Sequence, residues 1–141
     1  MTEDSALIDS NLLVYAIDIE EKEKHEKAIE FLEKTKFKKN LCISTQNLAE
    51  FHYIATNKIP KPISYDISRE IIKQLNNAFS IVSYNEKTLI QSIQHEKNYK
   101  IHFWDALIAA TMEENEIRII YTENVKDFKK IPWIRAINPL K

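Results

Sequence analysis

The chain of 141 residues, 44% hydrophobic and 29% charged, has the size and mix of one globular domain able to bury a core without staples. Its formal charge of −1 argues against coating nucleic acid by bulk charge, while leaving room for a local basic rim around an acidic centre. It contains no glycine, which excludes the phosphate-cradling P-loop and the dinucleotide fingerprint, because both need glycine where backbone approaches phosphate.

No apolar run is long enough for a membrane-spanning helix, and the short acidic opening "MTEDSA" does not read as a secretory signal. Cys42 is the only cysteine, so no intrachain disulfide forms and a reducing, cytoplasmic setting is expected. A single thiol is also a poor start for a zinc site.

The elements follow in order. Ala6 to Ile8 reads as a buried strand ending at Asp9, and "SNLLVYAID" as a short helix after a turn. "EEKEKHEKAIEFLEKTK" carries Ala28, Ile29 and Leu32 at helical spacing among charges, an amphipathic helix. "NLCIS" is a strand. "TQNLAEFHYIATNK" opens on Thr45, a capping type, and continues as a helix through Leu48, Phe51 and Ile54. The proline loop "KIPKPIS" precedes a helix capped by Ser64, then the strand "SIVSY". Asn85 caps the helix "NEKTLIQSIQHEKNY"; "HFWDALIAATMEEN" is an apolar helix and "IRIIYT" a strand. "VKDFKK" gives one helical turn and "WIRAIN" a closing strand. Strands alternating with helices imply an α/β fold, a parallel sheet covered on both faces, in one domain spanning residues 1–141.

In such a sheet ligands gather outside the carboxyl ends of the strands. Asp9 falls there, as do Thr122, Glu123 and Asn124 after the "IRIIY" strand. Glu50, beside Leu48, Ala49 and Phe51, and Asp105, beside Phe103, Trp104, Ala106 and Leu107, lie in helices with neighbours too apolar for a solvated face. Moving a carboxylate into apolar surroundings costs several kcal/mol, commonly offset by a cation. Hard oxygen ligands select Mg²⁺ or Mn²⁺ over zinc. Each residue has a plainer reading: Asp105 as a first-turn acid favoured by the helix dipole, Glu50 as a rim residue, Ser10 and Asn11 as helix caps. Asp9 resists the capping reading, because Ser10 or Asn11 is available for that work.

The segments "ALIDSNLLVYA", "NLAEF", "FWDALIAAT" and "IIYTENVKDF", in this order and spacing, resemble the PIN-domain ribonucleases, and among them the VapC-type toxins of toxin–antitoxin pairs. The resemblance covers nearly the whole chain. It implies a three-layer α/β/α sandwich with a central parallel sheet, and a metal-dependent endoribonuclease. Asp9, Glu50 and Asp105 would be metal-binding acids serving Mg²⁺ or Mn²⁺, with Ser10 and Asn11 placing the metal or its waters. Thr122 matches the family's hydroxyl after the late strand, where it would bond a phosphate oxygen or a ligand water. The acid expected two residues on is Asn124, which offers a carbonyl but no charge; Glu123 or Asp127 would have to supply it. The implied partners are an RNA substrate, a cognate antitoxin and a second copy in a homodimer, with no membrane involved.

RNA contact is expected from Lys58, Lys61, Lys100 and Lys126, with Lys129 and Lys130 nearby, because phosphates dominate affinity. Tyr15, Tyr53 and Trp104 are aromatics near the motifs, Trp104 being read as core. Of the four histidines, only His102 is near an expected acid. The amphipathic segments 22–36 and 46–57 are the expected antitoxin groove. A phosphatase of the haloacid dehalogenase type would need a second Asp at position 11, where Asn11 stands. A degenerate PIN domain that binds without cutting is the non-enzymatic alternative, suggested by Asn124.

Overall fold

The computed structural model describes residues 5–141. Five short strands, β1 (Ala6–Ile8), β2 (Leu41–Ser44), β3 (Ser80–Val82), β4 (Ile119–Tyr121) and β5 (Arg135–Ile137), form one sheet in the order β3-β2-β1-β4-β5. Every neighbouring pair is parallel. Between them run α1 (Ser10–Tyr15), α2 (Lys22–Thr35), α3 (Thr45–Asn57), α4 (Tyr65–Ala78), α5 (Glu86–Tyr99), α6 (Phe103–Glu114) and the single turn α7 (Val125–Phe128). The expected α/β/α sandwich is what the chain forms.

Side chains of a strand alternate between faces, and here this divides the core in two. Ala6, Ile8, Leu41 and Ile43 pack with Leu12, Leu13, Phe51 and Leu75 on the face covered by α1 to α4. Leu7, Cys42 and Ile120 pack on the opposite face with Ala106, Ala109, Met112 and Phe128. The middle of α6, Ala106 to Met112, is buried all round, which explains its nearly uninterrupted apolar sequence. Among the described residues no helix is long and apolar enough to cross a membrane.

Ser64 caps α4 by accepting the Ile67 N–H at 3.1 Å, and Asn85 and Thr88 close a reciprocal capping box on α5, as the sequence suggested. Two local readings are corrected. The cap of α3 is Ser44, whose Oγ accepts the Asn47 N–H at 2.9 Å, and Thr45 is the first helical residue. The first helix stops at Tyr15, with Ala16 as its C-cap, rather than running to residue 18. Without glycine, the left-handed turns fall to Phe37, Lys100 and Glu116, at φ 66°, 55° and 56°.

The order of the strands sets the position of the site. The chain moves outward in one direction from β1 through β2 to β3, then returns to β4 on the other side of β1. The crevice between the carboxyl ends of β1 and β4 is the switch point, where side chains are not covered by a crossing connection.

Candidate active site at the sheet switch point

Asp9 follows β1 directly, and its N–H bonds the Tyr121 carbonyl of β4 at 3.0 Å, so the two strand ends close on each other. Its extended backbone also makes it the N-cap of α1, with Oδ1 accepting the Ser10 N–H at 2.8 Å. The capping role excluded for Asp9 in the sequence is therefore its own. Ser10 and Asn11 are the first two residues of the helix, and their side chains turn to the acids.

The buried carboxylate of Asp9 accepts from several sides. Oδ1 takes the Asn47 amide at 3.2 Å, and Oδ2 takes the Thr122 hydroxyl at 2.7 Å and the Asn11 amide at 3.4 Å. Thr122 Oγ1 in turn accepts the Asn124 N–H at 2.9 Å and the Asn11 amide at 3.3 Å. Asn11 Oδ1 accepts the Glu123 N–H at 3.3 Å. These bonds tie the loop after β4 to the start of α1.

Glu50 projects from the second turn of α3 and shares its neighbours with Asp9. Ser10 Oγ lies 3.2 Å from Glu50 Oε1 and 3.4 Å from Asp9 Oδ1, and its single proton serves one at a time. The Asn47 amide lies 3.5 Å from Glu50 Oε1, and the Gln46 amide 3.5 Å from Oε2. Gln46 Nε2 also donates to the Trp104 carbonyl at 2.9 Å, which fastens α3 to the start of α6, where Asp105 sits. Gln46 Oε1 is buried without a partner among the described residues.

The three acids feel one another. Burial raises the Asp9 pKa against the hydrogen bonds from Thr122 and Ser10. Burial and then the charge of Asp9 raise Glu50. Asp105 is pushed up to about 6 by burial, then by the charges of Asp9 and Asp127, with His102 and Lys130 pulling the other way. Asp105 thus belongs with Asp9, and the expected proximity of His102 holds.

Other expected residues go elsewhere. Glu123 pairs with Lys24 at 2.6 Å and accepts the Tyr15 hydroxyl at 2.7 Å, so its carboxylate is engaged on the side of α2. Asp127 differs from it, because its charge, after that of Asp9, reaches Asp105. Asn124 caps no helix with its side chain and makes no side-chain hydrogen bond among the described residues. Lys58 lies over the Tyr53 ring, Lys61 pairs with Glu20 at 3.4 Å, and Lys100 is the left-handed C-cap of α5. Trp104 is 59% exposed, which corrects its reading as core. His25, His52 and His95 bond the Tyr15 carbonyl, Ser68 and Glu113, the structural roles anticipated for them.

Ser44, Gln46 and Asn47 were missed. Asn47 is fully buried, with Oδ1 accepting the Ser44 hydroxyl at 2.7 Å while its amide reaches Asp9. The available signal was spacing: Gln46 and Asn47 stand four and three residues before Glu50, on its side of a helix.

The oxygens at the acids are carboxylate and hydroxyl, steadied by amide N–H groups, with no thiol and no imidazole bonded to them, a set suited to a hard divalent cation. Among the described residues no three acidic, histidine or cysteine side chains are already drawn together closely enough to hold a metal ion. Charge and donor chemistry fit such an ion, and Asp9 is the one acid fully fixed in place.

An acid-lined mouth at the switch point of a parallel sheet is the layout defined by this geometry. The sequence matches the family model of the PIN domain over residues 6–134, and the chain belongs to the PIN-domain family. No curated protein matches it in sequence. Its structure is similar to a toxin–antitoxin complex from Klebsiella pneumoniae, at 26% identity and TM-score 0.69, over 96% of this chain and 98% of that one. It is also similar to VapBC-1 from nontypeable Haemophilus influenzae, at 20% identity and TM-score 0.66, over 96% and 98% of the two chains. A third similar structure is VapC20 of Mycobacterium tuberculosis, described as a toxin that cleaves the sarcin–ricin loop. It is 12% identical, with TM-score 0.71, over 89% and 94% of the two chains.

Proposed function

We propose that this protein is a divalent-cation-dependent endoribonuclease and the toxin of a toxin–antitoxin pair. The observation that supports the reading is that Asp9 and Glu50 share Ser10 and Asn47, while burial and then the Asp9 charge raise the pKa of both Glu50 and Asp105. Like charges gathered at partial burial are costly without a cation to offset them.

Asp9, Glu50 and Asp105 would hold Mg²⁺ or Mn²⁺. When bound, such an ion lowers the pKa of a water and neutralises charge on a phosphodiester. The chain's own residues position the acids for this. Thr122, Asn47 and the Ser10 N–H fix both oxygens of Asp9, and Ser10 Oγ spans Asp9 and Glu50. Gln46 keeps α6 in register with α3. Lys130 offers a positive charge within reach of Asp105. The exposed Trp104 ring, next to Asp105, offers a face on which an unpaired base can stack. This reading needs no nucleophilic side chain.

The antitoxin reading rests on the VapBC likeness and on an apolar groove of about 540 Å³ lined by Ile29, Leu32, Phe37, Ile71 and Leu75. The groove is lined from α2 and α4, so it takes in part of segment 22–36 and none of segment 46–57. A homodimer completes the reading.

The test is cleavage of a mixed pool of structured RNAs with Mg²⁺ or Mn²⁺, beside EDTA and beside Asp9→Asn. Cutting that requires both the cation and Asp9 supports the nuclease. Absence of cutting by the folded parent with either cation moves the protein to the non-cutting alternative, for which the neutral Asn124 is the supporting feature.

A further inference from the structure

Lysines on the long helices have nearby acids: Lys27 with Glu23 and Lys34 with Glu30 on α2, and Lys73 with Glu70 on α4. The flank of the mouth beyond Glu123 is different. A cleft of about 620 Å³ there is lined by Lys24, Lys126, Lys129 and Lys141, with Glu123 as its one acidic side chain. Glu123 is already neutralised by Lys24 at 2.6 Å. Among the described residues the other three lysines carry no ion pair, so the cleft holds net positive charge in a chain whose formal charge is −1.

The cleft is built into the site rather than placed at random beside it. Its floor, Glu123, follows Thr122, which bonds Asp9, and the Glu123 N–H bonds Asn11. Its wall is α7 with the residues that follow. Lys126 and Lys129, three apart, face the cleft, while the charges of Asp127 and Lys130, also three apart, reach Asp105. One turn of helix therefore separates a basic channel from the acids.

We propose that this cleft binds the phosphodiester backbone of a single-stranded RNA next to the phosphate held at the acids. Lysine ammonium groups on flexible stems are point charges that grip phosphates without reading bases. A protein-docking surface would need buried aromatic or arginine anchors, and Val125 and Leu140 are the only apolar side chains in this lining. The proposal rests on the ribonuclease reading.

The experiment is fluorescence anisotropy of a fluorescein-labelled 15-nucleotide RNA of mixed sequence, titrated at several salt concentrations, in an Asp9→Asn background that prevents cutting. With about 0.7 lost from the slope per phosphate contact on a single strand, Lys126→Ala/Lys129→Ala should make log K against log salt shallower by about 1.4. Across one decade of salt that is a loss of roughly 25-fold in the low-salt gain in affinity. The loss should be equal for RNAs of different sequence, and Lys34→Ala/Lys73→Ala should leave the slope unchanged. An unchanged slope in the Lys126/Lys129 variant, or an equal fall in the Lys34/Lys73 variant, overturns the cleft. So does a variant that keeps the slope but no longer retains a co-expressed protein partner, which would make the cleft a protein interface. If the parent with Asp9 intact cuts RNA while the slope is unmoved, only the cleft fails. If the parent neither binds nor cuts, the nuclease reading fails with it.

Discussion

Asp9 and Asp105 are both aspartates with pKa raised by burial, both read as cation ligands, and they are held in opposite ways. Asp9 caps a helix, ends a strand and accepts from Ser10, Asn47, Thr122 and Asn11. Asp105, in the first turn of α6, accepts no side-chain hydrogen bond among the described residues, so its burial is offset by no donor and is compounded by the charges of Asp9 and Asp127. One side of the mouth is thus a fixed anchor, satisfied before any ligand arrives. The other carries an unrelieved electrostatic cost that a cation can remove. In the proposed reading such a site would be ordered by its fold on one side and by a bound cation on the other.

The anchor should give the largest effect when broken. Asp9→Asn is expected to lower the cleavage rate at least about 10²-fold, near 2.7 kcal/mol at about 1.36 kcal/mol per decade, with an unchanged circular dichroism spectrum. A single-turnover rate equal to the parent's would remove Asp9 from the chemistry. Asn47→Ala attacks the support behind it. The Asp9 carboxylate loses a donor and the buried Ser44 hydroxyl loses its acceptor, for about 1–3 kcal/mol of stability in a urea titration. A loss under about 0.5 kcal/mol would mean that water replaces the amide and that the anchor is less rigid than its bonds indicate.

The arm should respond with the opposite sign. A carboxyl whose pKa is about 6 in the folded protein and near 3.8 unfolded binds more protons folded than unfolded between those values. Its stabilising contribution is complete below pH 4 and disappears as pH rises through 6. Asp105→Asn should therefore make the EDTA-treated protein more stable than the parent at pH 7, by on the order of 1 kcal/mol once solvent screening is allowed for, and no more stable at pH 4. An acid placed only to favour the helix dipole predicts the reverse, a loss of roughly 0.3–1 kcal/mol at pH 7. Thermal melts of both proteins at the two pH values distinguish site acid from dipole acid.

The same contrast explains what could be read from the sequence. Strand and helix alternation, the caps at Ser64 and Asn85 and the four motifs are local signals, and they led to the α/β/α fold and the PIN family. The three acids stood out because a carboxylate among apolar neighbours is locally anomalous. The framework holding them is made of long-range bonds between unremarkable residues. Asn47 looks like any polar residue early in a helix, and only tertiary structure brings it to Asp9. Glu123 looked available as a fourth acid because nothing in its own segment foretells Lys24 on a distant helix. Trp104 was misassigned because its apolar neighbours are buried while its own position on α6 faces outward. Capping failed for Asp9 because strand end, helix cap and acid were weighed as alternatives, whereas one residue serves as all three.

Asn124 offers the finest adjustment, a few-fold change rather than a loss. Its backbone is fixed by the N–H bonded to Thr122, and its partly exposed side chain makes no hydrogen bond among the described residues, so a substitution there breaks none. Asn124→Asp adds a charge three residues from Asp127, an acid whose charge already raises the Asp105 pKa. In EDTA the change should be neutral to slightly destabilising, within about 0.5 kcal/mol. With Mn²⁺ the added carboxylate gains a hard cation to bind, and calorimetric titration should show affinity raised several-fold or a second ion taken up. The sign of the effect on melting temperature should reverse between EDTA and Mn²⁺. If Mn²⁺ affinity and stoichiometry are unchanged, the side chain at 124 does not face the cation, and the three acids serve a single ion with the arm formed by Glu50 and Asp105 alone.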